Sequence, residues 1–412
     1  MWYQHFLENN RFINLIGIFL ILFLAFIFSK NKSKINFKIV FSALILQIVT
    51  CLTILKTSMG QAIANYIVRL VEGMYMFAEA GTKFVFGNLI NVDTPWGFIF
   101  AFKILPIIIF FGAVVSLLIH FGVIQFFISC VNFILRPILG TSGSETLCAI
   151  ANSLLGQTTG PFLIKDYLHI MTNSEILVVM ISGMSAISAV LLAAYSKMGI
   201  PANHLLTASI MSIPASILIS KILYPEIQEP QNQDNVMIKF HKKNENVFDA
   251  ITQGTLEGLT LSLNVGAILM VFISLISLLD FILAFFGQKL GISDTLSLGY
   301  IFGKIFLPFS YMLGLSGIEA ANGAELLGIK LTINEMVAYS KMNLLDLSDR
   351  TKAILTYALC GFSNFASIGL QIGVIGSLAP EKRSLVTELG ILAVFGSSLA
   401  NLLSALIAGL II

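Results

Sequence analysis

Charged side chains are scarce in this sequence: Asp, Glu, Lys and Arg make up 11% of the 412 residues, whereas 57% are hydrophobic. A soluble domain averages about 25% charged residues, so the composition excludes an ordinary soluble protein. Apolar runs of about 20 residues recur along the chain, and each is long enough to cross a bilayer as a helix. The composition therefore predicts an all-α polytopic membrane protein.

Cysteine is also scarce, and the four residues are scattered in or beside apolar segments, at Cys51, Cys130, Cys148 and Cys360. This pattern is typical of small buried hydrophobes and not of a disulfide framework or a metal centre. The sequence lacks a phosphate-binding GxxxxGKS/T loop and a nucleophile–base pair, so it does not suggest an enzyme or a bound organic cofactor. The net charge of +2 gives no reason to expect nucleic acid as a partner.

The apolar runs predict about eight transmembrane helices. The N-terminus has no basic region and no small-residue cleavage site, so we expect the first run to be a retained helix rather than a signal peptide. Residues 60–94 predict an amphipathic helix at the membrane interface, 123–137 a shorter amphipathic helix, and 225–246 an aqueous loop. The predicted spans are residues 11–29, 37–56, 97–120, 175–196, 203–223, 259–285, 351–376 and 386–411.

Two further stretches are apolar enough to enter a membrane but contain polar groups that a simple spanning helix does not need. The first, 142–168, carries Gln157 and a Gly160-Pro161 break. Non-helical backbone at membrane depth is tolerated only where protein or a water-filled cavity covers it. This stretch therefore predicts a re-entrant hairpin with a polar tip lining a cavity, and 316–345 predicts a second hairpin.

The two hairpins open with the same SGxE motif, at Ser142 and at Ser316, and an LLG motif follows in each. Each copy would contain a span, an amphipathic helix, a hairpin and two more spans, which makes an odd number of crossings and requires the second copy to be inverted. Inverted repeats with interrupted segments at matched positions are typical of secondary transporters. The predicted regions are a two-span scaffold with an interfacial helix, repeat 1, a cytoplasmic loop with an amphipathic lead-in, and repeat 2, at residues 1–96, 97–224, 225–258 and 259–412.

Lysine and arginine residues in short loops predict which side of the membrane faces the cytoplasm. Eight crossings place three basic loops on one side, and these carry Lys30–Lys38, Lys221–Lys243 and Lys382-Arg383. We therefore expect a multi-pass protein of the cytoplasmic membrane with both termini outside.

Polar side chains at the hairpin tips and in the seventh span suggest a solute-binding site, because such groups are costly inside a membrane. The Gln157 amide, beside Thr158, offers donors and an acceptor in one plane, which suits the edge of a nucleobase. The Glu335 carboxylate, beside Asn334, can accept two hydroxyl donors and so suits a sugar diol. Asn364 and Ser367 lie three residues apart on one helical face, and Phe362 could form an apolar wall. Alternatively, these groups could cap broken helices or bond between helices.

Several segments resemble the concentrative nucleoside transporters, over a region that runs from about residue 98 to the C-terminus. The resemblance lies in GQTTGPFLIKDYL, NVGAILMVF, LGIKLTINEMVAYSKM, LSDRTKAILTYALCGFSNFASIGLQIGVIGSLAPEKRS and SLANLLSALIAGLI. It implies eight spans, two re-entrant hairpins and an inverted repeat, and it implies a homotrimer in which each protomer has its own transport path.

The resemblance also implies roles for individual residues. Gln157 and Thr158 match the positions that face the base, Glu335, Asn364 and Ser367 match those that hold the ribose, and Phe362 matches an aromatic beside the ligand. Asn152 matches the side chain of a sodium site that main-chain carbonyls at Leu155, Ala186 and Ile187 complete.

Two positions depart from the family pattern. At the first tip the family has Gly-Gln-Ser/Thr-Glu, whereas this chain has Thr159 in place of the glutamate. The base side of the substrate site thus loses a charge and a strong acceptor, and proton coupling through that acid is not available. Sodium-coupled members usually have Ser or Thr where this chain has Ala186, which removes a hydroxyl but leaves a main-chain carbonyl.

The sequence therefore predicts secondary active import of nucleosides by alternating access, coupled to Na+ or H+. In a first alternative, a protein of the same fold carries another nucleoside-like or nucleotide-like solute, because Thr159 replaces the carboxylate at the first hairpin tip. A second alternative is a membrane receptor that binds a solute without transporting it. The residue pattern does not choose between sodium and protons, or between purines and pyrimidines.

Overall fold

The computed structural model describes residues 11–91, 99–228, 245–289 and 296–412, and every regular element within these ranges is helical. The helices of eight residues or more are α1 (Arg11–Ile27), α2 (Phe37–Lys56), α3 (Ser58–Phe86), α4 (Phe100–His120), α5 (Val123–Leu139), α6 (Gly143–Leu155), α7 (Asn173–Ser185), α8 (Ala189–Lys197), α9 (Ala202–Leu223), α10 (Val247–Lys289), α11 (Leu298–Met312), α12 (Gly317–Thr332), α13 (Glu335–Met342), α14 (Asp349–Leu359), α15 (Ala366–Leu378) and α16 (Arg383–Ile411).

The predicted polytopic architecture is confirmed. Within the described ranges, six helical segments are long and apolar enough to cross a membrane, and α7 with α8 counts as one of them. The other two predicted spans are α1, which has 17 residues, and the pair α14 and α15, which is interrupted at residues 360–365. A helix of 17 residues rises about 26 Å, slightly less than the hydrocarbon core of about 30 Å.

The sixth span is longer than the apolar run predicts. Helix α10 covers 43 residues and begins at Val247, whereas the sequence placed 247–258 in an amphipathic lead-in. The Asn246 side chain accepts a hydrogen bond from the Asp249 amide at 2.9 Å, and Asp249 accepts one from the Glu245 amide at 3.0 Å. These caps start the helix in polar sequence. Residues 229–244, most of the predicted aqueous loop, lie outside the described ranges.

Helices α4 and α10 pack against each other at the periphery of the molecule. Glycines allow the close contact, because a Cβ atom on Gly254 would lie 2.5 Å from Ser116 Cβ and one on Gly112 would lie 2.8 Å from the Gly254 carbonyl oxygen. Gly254 and Gly258 form the small-xxx-small spacing that brings membrane helices together. In contrast to this pair, helices α7, α8 and α9 are almost entirely buried in the core that holds the hairpins.

Each hairpin turns back on itself. The first consists of α6, a turn at residues 156–159 and a return arm at 160–168, and the second consists of α12 and α13 joined at Ile333-Asn334. A capping box of Ser142 and Glu145 starts α6, as the SGxE motif predicts. In the second hairpin the same motif forms no such cap, because the Ser316 side chain accepts no hydrogen bond from the first turn of α12.

Glu319 instead connects the second hairpin to α14. Its carboxylate accepts hydrogen bonds from the Ser348 amide and the Thr351 hydroxyl, both at 2.6 Å. This arrangement places a negative charge at the N-terminal end of α14, where the helix dipole favours it.

A buried ion pair fixes the base of the first hairpin to the core. Lys221 of α9 lies 2.8 Å from the Glu145 carboxylate, and both side chains are almost fully buried. The ammonium also donates to Ser174 Oγ at 3.1 Å, and the Ser142 hydroxyl donates to the Glu175 carboxylate of α7. These contacts join α6, α7 and α9, so we expect the first hairpin and these helices to move as one body.

Replacing Lys221 by Met is expected to destabilise the protein strongly, because it leaves the Glu145 carboxylate buried without its counter-ion. Breaking a buried pair costs about 3–5 kcal/mol, which in a chain of this length corresponds to a drop of roughly 5 °C in the apparent melting temperature. The matched control is Lys30→Met, which removes the solvent-exposed partner of Glu388 and should cost at most about 1 kcal/mol. Equal melting temperatures for the two variants in detergent would contradict the anchoring role.

Candidate substrate and cation sites

The tip of the first hairpin presents one buried amide. Helix α6 ends at Leu155, and Gly156 reverses the chain with φ +83°, a conformation that favours glycine. Gln157 follows and is buried, whereas Thr158 is exposed and Thr159 is half-buried. Of the three predicted tip residues, only Gln157 therefore points into the packed interior.

The tip of the second hairpin presents a buried carboxylate. Asn334 caps α13 by accepting a hydrogen bond from the Val337 amide at 2.9 Å, so the capping alternative holds for this residue. Glu335 is 2% exposed, and its Oε1 accepts a hydrogen bond from the Tyr195 hydroxyl at 2.6 Å. Its Oε2 is buried with no partner among the described residues. A ligand hydroxyl could satisfy this oxygen.

The break between α14 and α15 carries the third group of polar side chains. Gly361 has φ +118°, and a Cβ atom there would lie 2.6 Å from the Ser185 carbonyl oxygen at the end of α7. Asn364 Oδ1 accepts hydrogen bonds from the Ser367 amide at 3.0 Å and from the Ser367 hydroxyl at 3.2 Å. Phe362 is half-buried against the core. The break thus orients Asn364 and Ser367 together.

Direct contacts bring the first hairpin tip to this break. Gln157 Nε2 donates to Ser367 Oγ at 3.3 Å, and the Phe365 amide donates to the Leu331 carbonyl of the second hairpin at 3.3 Å. The predicted residues Gln157, Asn364 and Ser367 therefore form one hydrogen-bonded group between the hairpins. Glu335 belongs to a second group, held by Tyr195 of α8.

Sequence reasoning missed two residues of these groups, Gln371 and Tyr195. Gln371 Nε2 donates to Gln157 Oε1 at 3.1 Å, and its own Oε1 has no partner among the described residues. Gln371 lies four residues after Ser367, on the same helical face, and that spacing could have revealed it. Tyr195 lies in an ordinary apolar run, and nothing in its neighbourhood distinguishes it from a core residue.

The second predicted group, here called the Asn152 cluster, consists of the Asn152 amide near the end of α6 and main-chain carbonyls at that end and between α7 and α8. Asn152 is fully buried, and its Nδ2 donates to the Val179 carbonyl at 3.2 Å and to Ser182 Oγ at 2.9 Å. These two bonds fix the amide, so Oδ1 is the free end, and it has no partner among the described residues. A Cβ atom on Gly160 would lie 2.0 Å from that oxygen. The return arm therefore closes over Asn152 with no room for a side chain.

The main-chain groups predicted to complete this cluster are at helix ends. Leu155 ends α6, and Ala186 and Ile187 form the extended, buried break after α7. Helix C-terminal ends and unwound carbonyls carry partial negative charge, which is the arrangement that binds sodium in broken-helix transporters. Ser209 Oγ of α9 donates to the Ser153 carbonyl at 2.8 Å and holds α9 against the end of α6. Amide and carbonyl oxygens without carboxylates suit a monovalent cation, and across the described ranges no group of three His, Cys, Asp or Glu side chains could hold a transition metal.

Comparison with known proteins identifies the family. Models described as "Na+ dependent nucleoside transporter N-terminus", "Nucleoside recognition" and "Na+ dependent nucleoside transporter C-terminus" match residues 16–89, 101–202 and 204–409. An "Uncharacterized transporter" of Haemophilus influenzae is 38% identical, and "Nucleoside permease NupC" of Helicobacter pylori is 37% identical, each over 97% of both chains. The solved structure of CNTnw in an inward-facing substrate-bound state matches with a TM-score of 0.91 and 34% identity, over 97% of both chains. The family consists of membrane transporters and not of enzymes, and this chain belongs to it: it is a member of the concentrative nucleoside transporters.

Proposed function

We propose that this protein imports nucleosides across the cytoplasmic membrane by ion-coupled alternating access. The observation that carries the proposal is the hydrogen-bonded group of Gln157, Ser367 and Asn364, which joins the first hairpin tip to the break between α14 and α15. On the second hairpin, which contacts the same break through Leu331, Glu335 offers an oxygen without a partner among the described residues. A small solute with hydroxyls on one side and a polar ring edge on the other would satisfy both.

The proposed contacts divide the ligand in two. Glu335, Asn364 and Ser367 hold the ribose hydroxyls, because a carboxylate and an amide oxygen accept hydroxyl donors. Gln157 faces the base with Thr158 and Thr159 beside it, and Phe362 covers the ring. Displacing the long Gln157–Ser367 bond of 3.3 Å costs little, because the ligand replaces it with new hydrogen bonds.

Sodium is the coupling ion that the Asn152 cluster favours. The orphaned Oδ1, with the carbonyls of Leu155, Ala186 and Ile187, supplies oxygen ligands close to the Gln157 tip. When sodium is bound there, it fixes the end of α6 and therefore the position of Gln157. Coupling to protons has less support, since Thr159 cannot replace the missing acid.

The transport movement is a displacement of the hairpin core against the α4–α10 pair. The core is anchored internally by the Lys221–Glu145 ion pair, whereas α10 exposes most of its length. In a homotrimer, as the family resemblance implies, the α4–α10 pairs of three protomers would form the fixed frame. The basic loops support an orientation with both termini outside, and the proposed repeats at 97–224 and 259–412 would provide one hairpin each.

A second candidate function follows from Thr159, which is half-buried at the tip and carries no charge. Without a carboxylate there, the base side of the site could accept a different nucleoside-like or nucleotide-like solute. The two candidates differ in what competes for the site, since a nucleotide brings phosphate charge and a free base lacks the hydroxyls that Glu335 binds.

Competition for uptake of labelled uridine into proteoliposomes separates the two functions. We expect unlabelled nucleosides to compete, while free bases lose at least about 100-fold in apparent affinity, since they forfeit charge-assisted hydrogen bonds worth about 1.5–3 kcal/mol each. Nucleotides should also compete weakly, because their phosphate charge would have to be buried without a counter-ion. Strong competition by nucleotides and weak competition by nucleosides would overturn the nucleoside proposal in favour of the second candidate.

A further inference from the structure

Lys330 is a buried ammonium to which the substrate and cation sites assign no role. It is 4% exposed and lies in the last turn of α12, the first arm of the second hairpin. Its Nζ donates to the Ala358 carbonyl and to Asn401 Oδ1, both at 2.8 Å. Among the described residues no carboxylate lies within ion-pair distance of it. A buried cation held only by neutral oxygens is costly, and both of these oxygens are placed to accept its N–H groups.

The position of this ammonium matches the Asn152 cluster of the first hairpin. Asn152 lies in the last turn of α6, and Lys330 lies in the last turn of α12, so each comes from the first arm of its hairpin. The first cluster borders the break after α7, and the Ala358 carbonyl lies in the last turn of α14, directly before the second break. Both positions thus combine the C-terminal ends of two interrupted helices, which attract a cation.

The last helix of each repeat closes its cluster with a polar side chain. In the first, Ser209 of α9 donates to the Ser153 carbonyl. In the second, Asn401 of α16 accepts from Lys330 and from Ser363 Oγ, the latter at 2.8 Å. The amide orientation of Asn401 is settled, because an ammonium can only donate and its Oδ1 must therefore face Lys330.

Asn401 also connects the two clusters. Its Nδ2 donates to the Ser185 carbonyl at 2.7 Å, which is the end of α7 beside Ala186. The Ser363 Oγ also lies 3.2 Å from the Met184 carbonyl oxygen. A single chain of hydrogen bonds therefore runs from the ammonium in the second hairpin to the helix end that borders the proposed sodium position.

We propose that Lys330 is a tethered cation: its ammonium takes, in the second hairpin, the place that sodium takes in the first, and so limits transport to one sodium ion per nucleoside. This inference rests on the proposed sodium coupling and extends it. It makes Lys330 a positioning residue that holds the second hairpin tip, and with it Glu335, whether or not sodium is present. Only the first hairpin tip then depends on an added ion.

The test replaces Lys330 by a smaller residue, so that a free sodium ion can occupy the place of the tethered ammonium. Lys330→Ser leaves the oxygens of Ala358 and Asn401, together with the introduced hydroxyl, around a gap that can take sodium. In proteoliposomes we expect its nucleoside uptake to be low at low sodium and to recover at high sodium, with a Hill coefficient that rises from about one in the wild type towards about two. Lys330→Met fills the same space without charge, so its uptake should stay about tenfold or more below wild type at every sodium concentration.

Thermal unfolding in detergent gives a readout that does not require transport. Sodium chloride, compared with choline chloride, should raise the melting temperature of Lys330→Ser more than that of the wild type, because an additional ion binds the folded state. Lys330→Met should show no such additional gain. Asn401→Ala, which keeps the ammonium but removes one acceptor, should weaken uptake without changing the sodium Hill coefficient.

The outcomes separate the inference from the proposed function. Wild-type uptake that does not respond to sodium would refute sodium coupling, while the melting temperatures of the Lys330 variants still decide whether the vacated site binds a cation. An unchanged Hill coefficient for Lys330→Ser, with the same sodium stabilisation as Lys330→Met, would overturn the tethered cation. Failure to recover folded Lys330→Ser at any sodium concentration would overturn it as well.

Discussion

Replacing Glu335 by Gln is expected to abolish nucleoside uptake while leaving the protein folded. The amide keeps the shape of the side chain, and its oxygen can still accept the Tyr195 hydroxyl, which lies at 2.6 Å from Oε1. The other end changes from an acceptor without a partner to a donor, and a ribose hydroxyl then has no charged acceptor. Losing one or two charge-assisted bonds of about 1.5–3 kcal/mol each lowers ligand affinity by about 10- to 10,000-fold.

The measurement is uptake of labelled uridine into proteoliposomes, with thermal unfolding of the purified variant as the check on folding. Tyr195→Phe serves as the matched comparison, because it removes only the hydroxyl that orients Glu335 and should cause a partial loss. Glu381→Gln is the negative control: it removes an exposed carboxylate just before α16 and should not change uridine uptake. Uptake by Glu335→Gln close to the wild-type rate would show that Glu335 does not bind the ribose.

Replacing Asn152 by Ala is expected to remove most of the stimulation by sodium. The substitution deletes the orphaned Oδ1, which is the only side-chain oxygen proposed as a sodium ligand. Altering a group that holds or orients a bound ion typically weakens affinity by about 10- to 100-fold, so the sodium concentration for half-maximal uptake should rise by that factor. Sodium titration of uridine uptake measures it.

Ser182→Ala is the control for this experiment, since it removes a hydrogen-bond partner of Asn152 Nδ2, at 2.9 Å, but leaves Oδ1 in place. Its half-maximal sodium concentration should move less than that of Asn152→Ala. Equal sodium dependence in Asn152→Ala and the wild type would show that the cluster at the end of α6 is not the coupling site.

The breaks in the helices were the features most readily predicted from sequence. In the first hairpin the chain turns at Gly156, four residues before the Gly160-Pro161 pair that the sequence singled out. Gly160-Pro161 instead begins the return arm, where proline is tolerated because its missing amide hydrogen lies at a helix start. Gly361 marks the break in the seventh span, where a positive φ and the nearby Ser185 carbonyl leave room only for glycine. Such local chemistry leaves a signal in the sequence.

The groups that connect distant helices could not be predicted in the same way. Tyr195 binds Glu335 across 140 residues, and Lys330 binds Asn401 across 71 residues. Each partner alone is compatible with an ordinary core or membrane-boundary position, so only the tertiary packing reveals the pair. Lys221 is similar: its position next to a predicted cytoplasmic loop suggested an orientation signal, whereas the structure shows it buried against Glu145.

The start of α10 could not be predicted from hydropathy. Hydropathy marks only the part of a helix that is apolar enough for the bilayer, and residues 247–258 contain Asp249, Gln253 and Glu257. Capping at Asn246 extends the helix beyond the apolar run, and the Gly254–Gly258 contact with α4 lies in this polar part. The packing surface and the membrane-spanning segment therefore overlap only in part.

In the proposed mechanism, a cation held at the end of α6 drives nucleoside import through the clamp of the two hairpins. Uptake of labelled uridine and adenosine into proteoliposomes, with sodium and proton gradients imposed separately, tests it most directly. An inward sodium gradient should drive accumulation of nucleoside above equilibrium, and a proton gradient without sodium should not. Accumulation driven by protons alone, or no accumulation under either gradient, would contradict the account.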